Sequence, residues 1–88
     1  MEAGTVRLLY FAWLRERAGR GAEEIALPEG VGTVAALVAW LRGRDERLEA
    51  AFANPRLVRV AVNQEFADPQ APVHAGDEVA FFPPVTGG

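Results

Sequence analysis

The last six residues of the chain are the part of the sequence best suited to chemistry. They read Pro-Pro-Val-Thr-Gly-Gly, from Pro83 to Gly88. Prolines cannot donate the hydrogen bonds of a strand ladder and favour an extended path, so Pro83 and Pro84 predict a stalk that leaves the last strand. The two terminal glycines have no side chain, so a narrow channel could admit them. We therefore expect residues 83–88 to offer the α-carboxyl group of Gly88 to another protein.

A free carboxyl group at Gly88 can be activated for group transfer. It is ionised at neutral pH, with an ordinary pKa of about 3.3–3.7, and as a carboxylate it is a poor electrophile. A mixed anhydride with AMP has a good leaving group, and sulfur could replace that group to give a thiocarboxylate. Such chemistry would let a chain without cysteine carry sulfur. Two terminal glycines alone are more typical of a frayed end, and it is the prolines and the predicted fold that favour the chemical interpretation.

Composition excludes several classes of function. The chain has 88 residues, which is the size of one domain, and half of them are hydrophobic, as in a folded globule. The absence of cysteine and serine removes disulfides, thiolate metal sites and thiol or serine nucleophiles, and His74, the single histidine, is interpreted as a structural residue in a turn. A net charge of −3 disfavours non-specific binding of nucleic acid. Without a membrane-spanning stretch or a signal peptide, a cytoplasmic location is expected.

The hydrophobic pattern predicts the elements that must position the tail. The predicted strands are 5–11, 23–27, 57–62, 65–67 and 78–82. A short helix is expected over 12–18, a main helix from an N-cap at Thr33 to Gly43, and a third helix from a cap at Asp45 to Asn54. Two strands, a main helix and further strands predict an α+β fold of the ubiquitin-like β-grasp type. One helix would then cover a mixed sheet of four or five strands, with residues 1–82 as the domain and 83–88 as its tail.

Three phenylalanines are candidates for a partner interface near the tail. Phe11 and Phe82 fall outside the inward register of their strands, and Phe66 lies on a short edge segment. An exposed apolar patch at this place would suit a protein partner. The alternative is that all three are ordinary core or half-exposed aromatics.

Other polar and aromatic residues receive plainer interpretations. Arg15, Arg17 and Asp77 could pair with charges on another protein, but such residues are more often solvated surface, and that is the prediction here. Trp13 and Trp40 are interpreted as packing residues rather than as parts of a binding site.

Long runs of the sequence resemble one protein family. The C-terminal run 76–88, GDEVAFFPPVTGG, is similar to the C-terminal signature of the molybdopterin synthase small-subunit family. The N-terminal run 6–12, VRLLYFA, with Leu-Arg-Glu at 14–16, resembles the family's first strand and helix, and 61–64, AVNQ, its mid-chain strand and turn. The resemblance covers the whole chain.

This resemblance implies a specific role for the tail. An E1-like adenylating enzyme would use ATP to adenylate Gly88, and a sulfur donor would convert it to a thiocarboxylate. The tail would then enter the large subunit and deliver sulfur to cyclic pyranopterin monophosphate, with Phe11, Phe66 and Phe82 as apolar contacts. The segment threaded into the partner would be Pro83, Pro84, Val85, Thr86 and Gly87. The chain itself would bind no cofactor tightly and would not catalyse alone, as the small subunit of a heterotetramer with two copies of each subunit.

Three other functions fit parts of the same pattern. A β-grasp sulfur carrier for thiamine or for tRNA thiolation would have the same fold and the same two glycines. A ubiquitin-like modifier would join its Gly88 to lysines of target proteins. A plain binding module would be unaffected by removal of Gly87 and Gly88.

Overall fold

The structure is a computed structural model, and it describes residues 4–84. Its five strands form one mixed sheet in the order β2-β1-β5-β3-β4, in which β1 and β5 are parallel and the other neighbours antiparallel. The strands are β1 (Thr5–Tyr10), β2 (Ala22–Ala26), β3 (Arg59–Val62), β4 (Glu65–Ala67) and β5 (Glu78–Phe82). The helices are α1 (Trp13–Ala18), α2 (Val34–Arg44) and α3 (Glu46–Ala51). The predicted α+β β-grasp arrangement is confirmed.

Alternation along the two central strands builds the core. Val6, Leu8 and Tyr10 of β1 are buried on the face that the helices cover, as are Val79 and Phe81 of β5. The parallel register sets Leu8 opposite Val79 and Tyr10 opposite Phe81, so the two strands present one continuous apolar surface. Main-helix side chains complete this layer, since buried residues of α2 recur at helical spacing; they are Val34, Leu37 and Leu41.

The main helix begins as predicted and ends later than predicted. Thr33 is its N-cap, and the Thr33 hydroxyl accepts a hydrogen bond from the Ala36 N–H at 3.1 Å. The predicted end at Gly43 is wrong, because α2 continues through Gly43 to Arg44. The chain turns at Asp45, whose extended backbone ends α2 and whose carboxylate caps α3 by accepting from the Leu48 N–H at 2.9 Å. The side-chain cap therefore sets this boundary, and the glycine does not.

The third strand is shorter than the predicted range 57–62. Asn54 and Pro55 start a 3₁₀ turn, Pro55–Leu57, in which the Asn54 carboxamide oxygen accepts from the Arg56 N–H at 3.1 Å. This turn holds Leu57 outside the sheet, and β3 begins only at Arg59. Other element bounds agree with the prediction to within one or two residues, apart from α3, which ends at Ala51.

A network of hydrogen bonds joins the turn before β5 to the turn between β3 and β4. The Asp77 carboxylate accepts from the His74 N–H at 2.7 Å and from Asn63 Nδ2 at 3.0 Å, and Asn63 Oδ1 in turn accepts from the Glu78 N–H at 3.0 Å. The prediction that Asp77 is merely solvated surface is therefore wrong, since its side chain is only 17% exposed and joins two turns. Arg15 and Arg17 are exposed, as predicted.

Candidate docking site at the end of the last strand

The base of the tail is held in the middle of the sheet. Strand β5 ends at Phe82, as the two prolines predict, and Pro83 and Pro84 follow it as half-buried residues. On one side the Phe11 N–H donates to the Phe81 carbonyl at 3.0 Å, and on the other side Phe82 pairs with Arg59 of β3. The predicted site residues Val85, Thr86, Gly87 and Gly88 lie outside the described residues. The described residues therefore show where the tail leaves the sheet.

An aromatic pair stands on the open face of the sheet beside this point. Phe66 is 80% exposed, Phe82 is half-buried, and their ring centroids are 5.8 Å apart. The rings approach each other across β3, where Phe66 pairs with Ala61, whose small side chain leaves room for both. Phe11, at the end of β1 on the other side of β5, is 48% exposed. The structure therefore places all three predicted phenylalanines outside the core.

Smaller apolar residues extend this surface across the sheet. Leu9 pairs with Ala80, and Ala80 pairs with Ala61, so the three form one row that leads to Phe66. All three are half-buried and face the same side as the phenylalanines. We call the whole set the apolar face; it comprises Leu9, Phe11, Ala61, Phe66, Ala80 and Phe82.

The next row toward the start of β5 is charged. Arg7 pairs with Glu24 of β2 on one side and with Glu78 of β5 on the other. The open side of the sheet is therefore apolar from Leu9 to Phe66 and Phe82, with the exposed Arg59 beside Phe82 at the tail end and a charged row at the opposite end. Contiguous apolar surface rimmed by polar residues is typical of a protein interaction site.

A charged cluster on the covered side supports the same end of the sheet. The Tyr10 hydroxyl donates to Glu23 Oε2 at 2.8 Å, and the same oxygen receives Arg44 Nη2 at 2.6 Å and lies 3.1 Å from Arg20 Nε. Tyr10 also stacks on Phe81, with ring centroids 5.7 Å apart. The cluster therefore joins β1, β2 and α2 directly beneath the last residues of β5.

The charges of this cluster are set by burial and by the hydrogen bonds. Burial, followed by the interaction with the Glu23 carboxylate, raises the pKa of the Tyr10 hydroxyl, so it stays a neutral donor. Burial would also raise the pKa of Glu23, but the hydrogen bonds from Arg44 and Tyr10, together with the nearby Arg20 guanidinium, outweigh it and lower that pKa. Sequence reasoning missed this cluster, and the only signal for it was a tyrosine at an inward position, which requires a polar partner.

The described residues offer contact surface and show no metal site. Within residues 4–84 no group of histidine, aspartate and glutamate side chains is arranged to hold a metal ion. The longest helix in this range, α2, has 11 residues, and none of the helices there is long and apolar enough to cross a membrane. Trp13 and Trp40 are half-buried and pack against the core, as predicted.

Comparison with known proteins identifies the family. The ThiS family matches residues 8–88, which is nearly the whole chain. The chain belongs to the ThiS family. Over 83 residues this ThiS-family chain is 41% identical to the molybdopterin synthase sulfur carrier subunit of Escherichia coli. The alignment covers 94% of this chain and 99% of that one. It is 34% identical to the protein of the same name from Chlamydomonas reinhardtii over 91 residues, covering 94% and 98%.

Solved structures agree with the ThiS-family assignment. The small archaeal modifier protein 1 of Haloferax volcanii superposes with a TM-score of 0.77 and 31% identity, covering 94% of this chain and all of that chain. A subunit in the complex of subunits 1 and 2 of the molybdopterin-converting factor from Helicobacter pylori gives a TM-score of 0.65 at 22% identity, covering 96% and 99%, and at that identity shares the fold.

Proposed function

We propose that this protein is the sulfur-carrier subunit of a molybdopterin synthase and that Gly88 carries the sulfur as a thiocarboxylate. The observation that carries the proposal is the 41% identity, over 94% of the chain, to the Escherichia coli protein of that name. The geometry supports it, because β5 delivers the start of the tail at the edge of an exposed apolar face. The cytoplasmic location expected from the sequence is part of the proposal.

Loading of the tail proceeds in two balanced steps. In an E1-like enzyme, a carboxylate oxygen of Gly88 attacks the α-phosphorus of ATP, and pyrophosphate leaves. The resulting acyl adenylate has AMP as a good leaving group. A sulfide-level sulfur nucleophile then attacks the carbonyl carbon, the bond from that carbon to the AMP oxygen breaks, and the nucleophile's proton is released. The product is a terminal thiocarboxylate, formed without any change in oxidation state of the carbon.

The loaded tail then acts as a co-substrate of a partner enzyme. Pro83, Pro84, Val85, Thr86 and Gly87 thread into the large subunit, where cyclic pyranopterin monophosphate receives the sulfur. The catalytic side chains belong to the large subunit, and this chain binds no cofactor tightly. Two copies of each subunit form the assembly. ATP is consumed only by the activating enzyme.

The apolar face supplies the contact that holds the large subunit. Phe66 and Phe82 lie in ring contact beside the base of the tail, and Phe11 flanks it from β1. Aromatic residues, phenylalanine among them, are enriched at the core of protein interfaces. A partner seated on these rings would also align its channel with Pro83 and Pro84.

Intact-mass measurement tests the loading chemistry. The chain is incubated with an E1-like activating enzyme, ATP and sulfide, beside a variant that lacks Gly88. The proposal predicts a mass increase equal to the exchange of one oxygen for one sulfur in the full chain and none in the deleted one. An unchanged mass, with an activating enzyme shown to load another carrier, would remove the sulfur-carrier function.

The second candidate is a protein modifier, and one observation favours it. The similarity to the small archaeal modifier protein 1, at a TM-score of 0.77, shows that the same fold serves a protein with that name. In that reaction a lysine amine of a target would replace AMP on Gly88 and form an amide bond. Isopeptide-linked adducts in a cell extract, without a thiocarboxylate intermediate, would favour the modifier. This chain could not be its own target at a side chain, because its nine basic residues are all arginines.

A further inference from the structure

A second apolar surface lies on the helix side of the tail. It is a groove of about 270 Å³ between α1, α3 and the 3₁₀ turn, with Trp13 and Leu57 in its lining. Leu57 is 48% exposed, and Trp13 is half-buried with the Arg17 guanidinium 5.7 Å from its ring centroid. Neither residue belongs to the apolar face, because both line this groove beside α1 and α3, on the side of the sheet that the helices cover.

Strand register places this groove beside the base of the tail. β1 runs parallel to β5 with Tyr10 opposite Phe81, so the chain leaves β1 toward Trp13 at the end where β5 leaves toward Pro83. β3 is antiparallel and Arg59 pairs with Phe82, so Leu57 lies just before the residue that faces the last position of β5. Trp13 therefore follows the strand on one side of β5, and Leu57 precedes the strand on its other side. Both residues line the same groove at the end of the sheet from which the tail leaves.

The length of the tail decides how close a partner must come. Gly88, the residue proposed to carry the sulfur, is the fourth residue after Pro84, and four fully extended residues span at most about 14 Å. An active site that reacts with Gly88 must therefore open within that distance of Pro84. A channel narrow enough to select two glycines encloses the tail on all sides, so its mouth meets the helix side of the base as well as the sheet side.

We propose that Trp13 and Leu57 form an apolar rim that contacts the mouth of the large-subunit channel when the tail is inserted. This inference rests on the proposed function. It adds a second contact surface, which together with the apolar face would surround the base of the tail. The hydrogen bonds of the 3₁₀ turn involve only Asn54 and Pro55 as acceptors, so the turn itself does not require a leucine at position 57. Burial by this partner accounts for the half-exposed Leu57 side chain.

A charge placed on the rim provides the test. Leu57→Glu and Ala26→Glu add the same charge at exposed positions, the first on the rim and the second at the end of β2 remote from the tail. Leu57→Met keeps an apolar side chain of similar size. The unmodified chains are titrated with the purified large subunit of a molybdopterin synthase, so that binding does not require activation, and the thermal unfolding of each chain is recorded.

The inference predicts that the dissociation constant of Leu57→Glu is at least about tenfold higher than that of the wild type, as expected when a residue that contributes to binding is lost. Leu57→Met and Ala26→Glu should stay within about twofold of the wild type by the same measure, with all three variants folded. If the wild type binds and Leu57→Glu binds equally well, the rim is refuted while the proposed function stands. If the wild type itself does not bind the large subunit, the proposed function fails and the rim fails with it.

Discussion

Phe81 and Phe82 are adjacent in the sequence and have opposite surroundings. Phe81 is fully buried, stacked on Tyr10 and in edge contact with Phe52 at a centroid distance of 4.9 Å. Phe82 lies on the other side of the pleat, and its ring partner is Phe66, which is 80% exposed. The same residue type thus stabilises the core at one position and forms part of an open surface at the next.

This difference separates what the fold needs from what a partner needs. The covered side of the sheet buries its side chains against α2 and α3, and burial of apolar area there stabilises the domain. Phe66 of the apolar face contributes little to folding, because its ring stays 80% exposed in the folded chain. Mutations on the two sides should therefore change different measurements.

Phe81→Ala should have the largest effect, and it should act on folding. Removing a buried aromatic costs about 3–5 kcal/mol, which is a large part of the roughly 5–15 kcal/mol that stabilises a domain. Urea unfolding followed by circular dichroism measures the loss. Phe81→Leu, which keeps most of the volume, should lose clearly less. A change below about 1 kcal/mol for Phe81→Ala would mean that the two sides of β5 do not differ as described.

Phe66→Ala should affect docking and leave folding nearly unchanged. Its loss is expected to weaken binding to the large subunit by about 2 kcal/mol, or roughly 30-fold, as for a central aromatic of an interface. Its unfolding free energy should change by less than about 0.5 kcal/mol. Glu65→Ala, at the adjacent exposed position of β4, is the matched control and should bind normally. Equal binding by both variants would contradict the docking role of the apolar face.

Glu23→Gln should destabilise the covered side moderately and in a pH-dependent way. The change weakens the hydrogen bonds from Tyr10 and Arg44 and should cost about 1 kcal/mol at neutral pH. Because the pKa of Glu23 is lowered, its contribution is fully present above the ordinary value of 4.5 and is lost as the pH falls through the lower pKa of the folded state.

Unfolding curves of wild type and Glu23→Gln at a series of pH values check this sign. The difference in unfolding free energy should be largest at neutral pH and should shrink in acid. A difference that grows on acidification would show that the ionised carboxylate does not stabilise the fold. Binding to the large subunit should be the same for both chains at neutral pH.

Ala12→Gly should have the smallest effect, and it should be stabilising. Ala12 has φ 55° and ψ −134°, close to the first central position of a type II′ turn, where glycine is preferred, and the Leu14 N–H closes this turn on the Phe11 carbonyl at 3.1 Å. Relief of this strain should exceed the extra entropy of an unfolded glycine, for a net gain of up to about 1 kcal/mol. A lower thermal midpoint for Ala12→Gly would show that the alanine conformation is not strained.

The sequence predicted the parts of the fold that depend on local pattern. Alternation fixed which side of β1 is buried, and Thr33 marked the start of α2 through its side-chain cap. The end of α2 was misplaced at Gly43 because a glycine is only a moderate cost inside a helix, while the cap of the next helix at Asp45 was decisive. Leu57 was assigned to β3 because its apolar character outweighed the turn that Pro55 begins.

The position of a site residue was predictable where it depends on alternation within one strand. It was unpredictable where it depends on the order of the strands in the sheet. Register alone turned Phe11 and Phe82 away from the core. The contact between Phe66 and Phe82 depends on β3 lying between their strands with Ala61 in the gap, and no local pattern encodes that order. The groove at Trp13 and Leu57 and the ion cluster at Glu23 likewise join residues distant in sequence.

The most direct test of the sulfur-donor function follows the thiocarboxylate through one turnover. The loaded chain is mixed with the large subunit and cyclic pyranopterin monophosphate, and its intact mass is recorded with time beside mixtures that lack either component. The proposed function predicts that the mass falls by the exchange of one sulfur for one oxygen only in the complete mixture, as sulfur appears in the pterin product. A thiocarboxylate that persists in the complete mixture, or that is lost equally without the pterin, would contradict it.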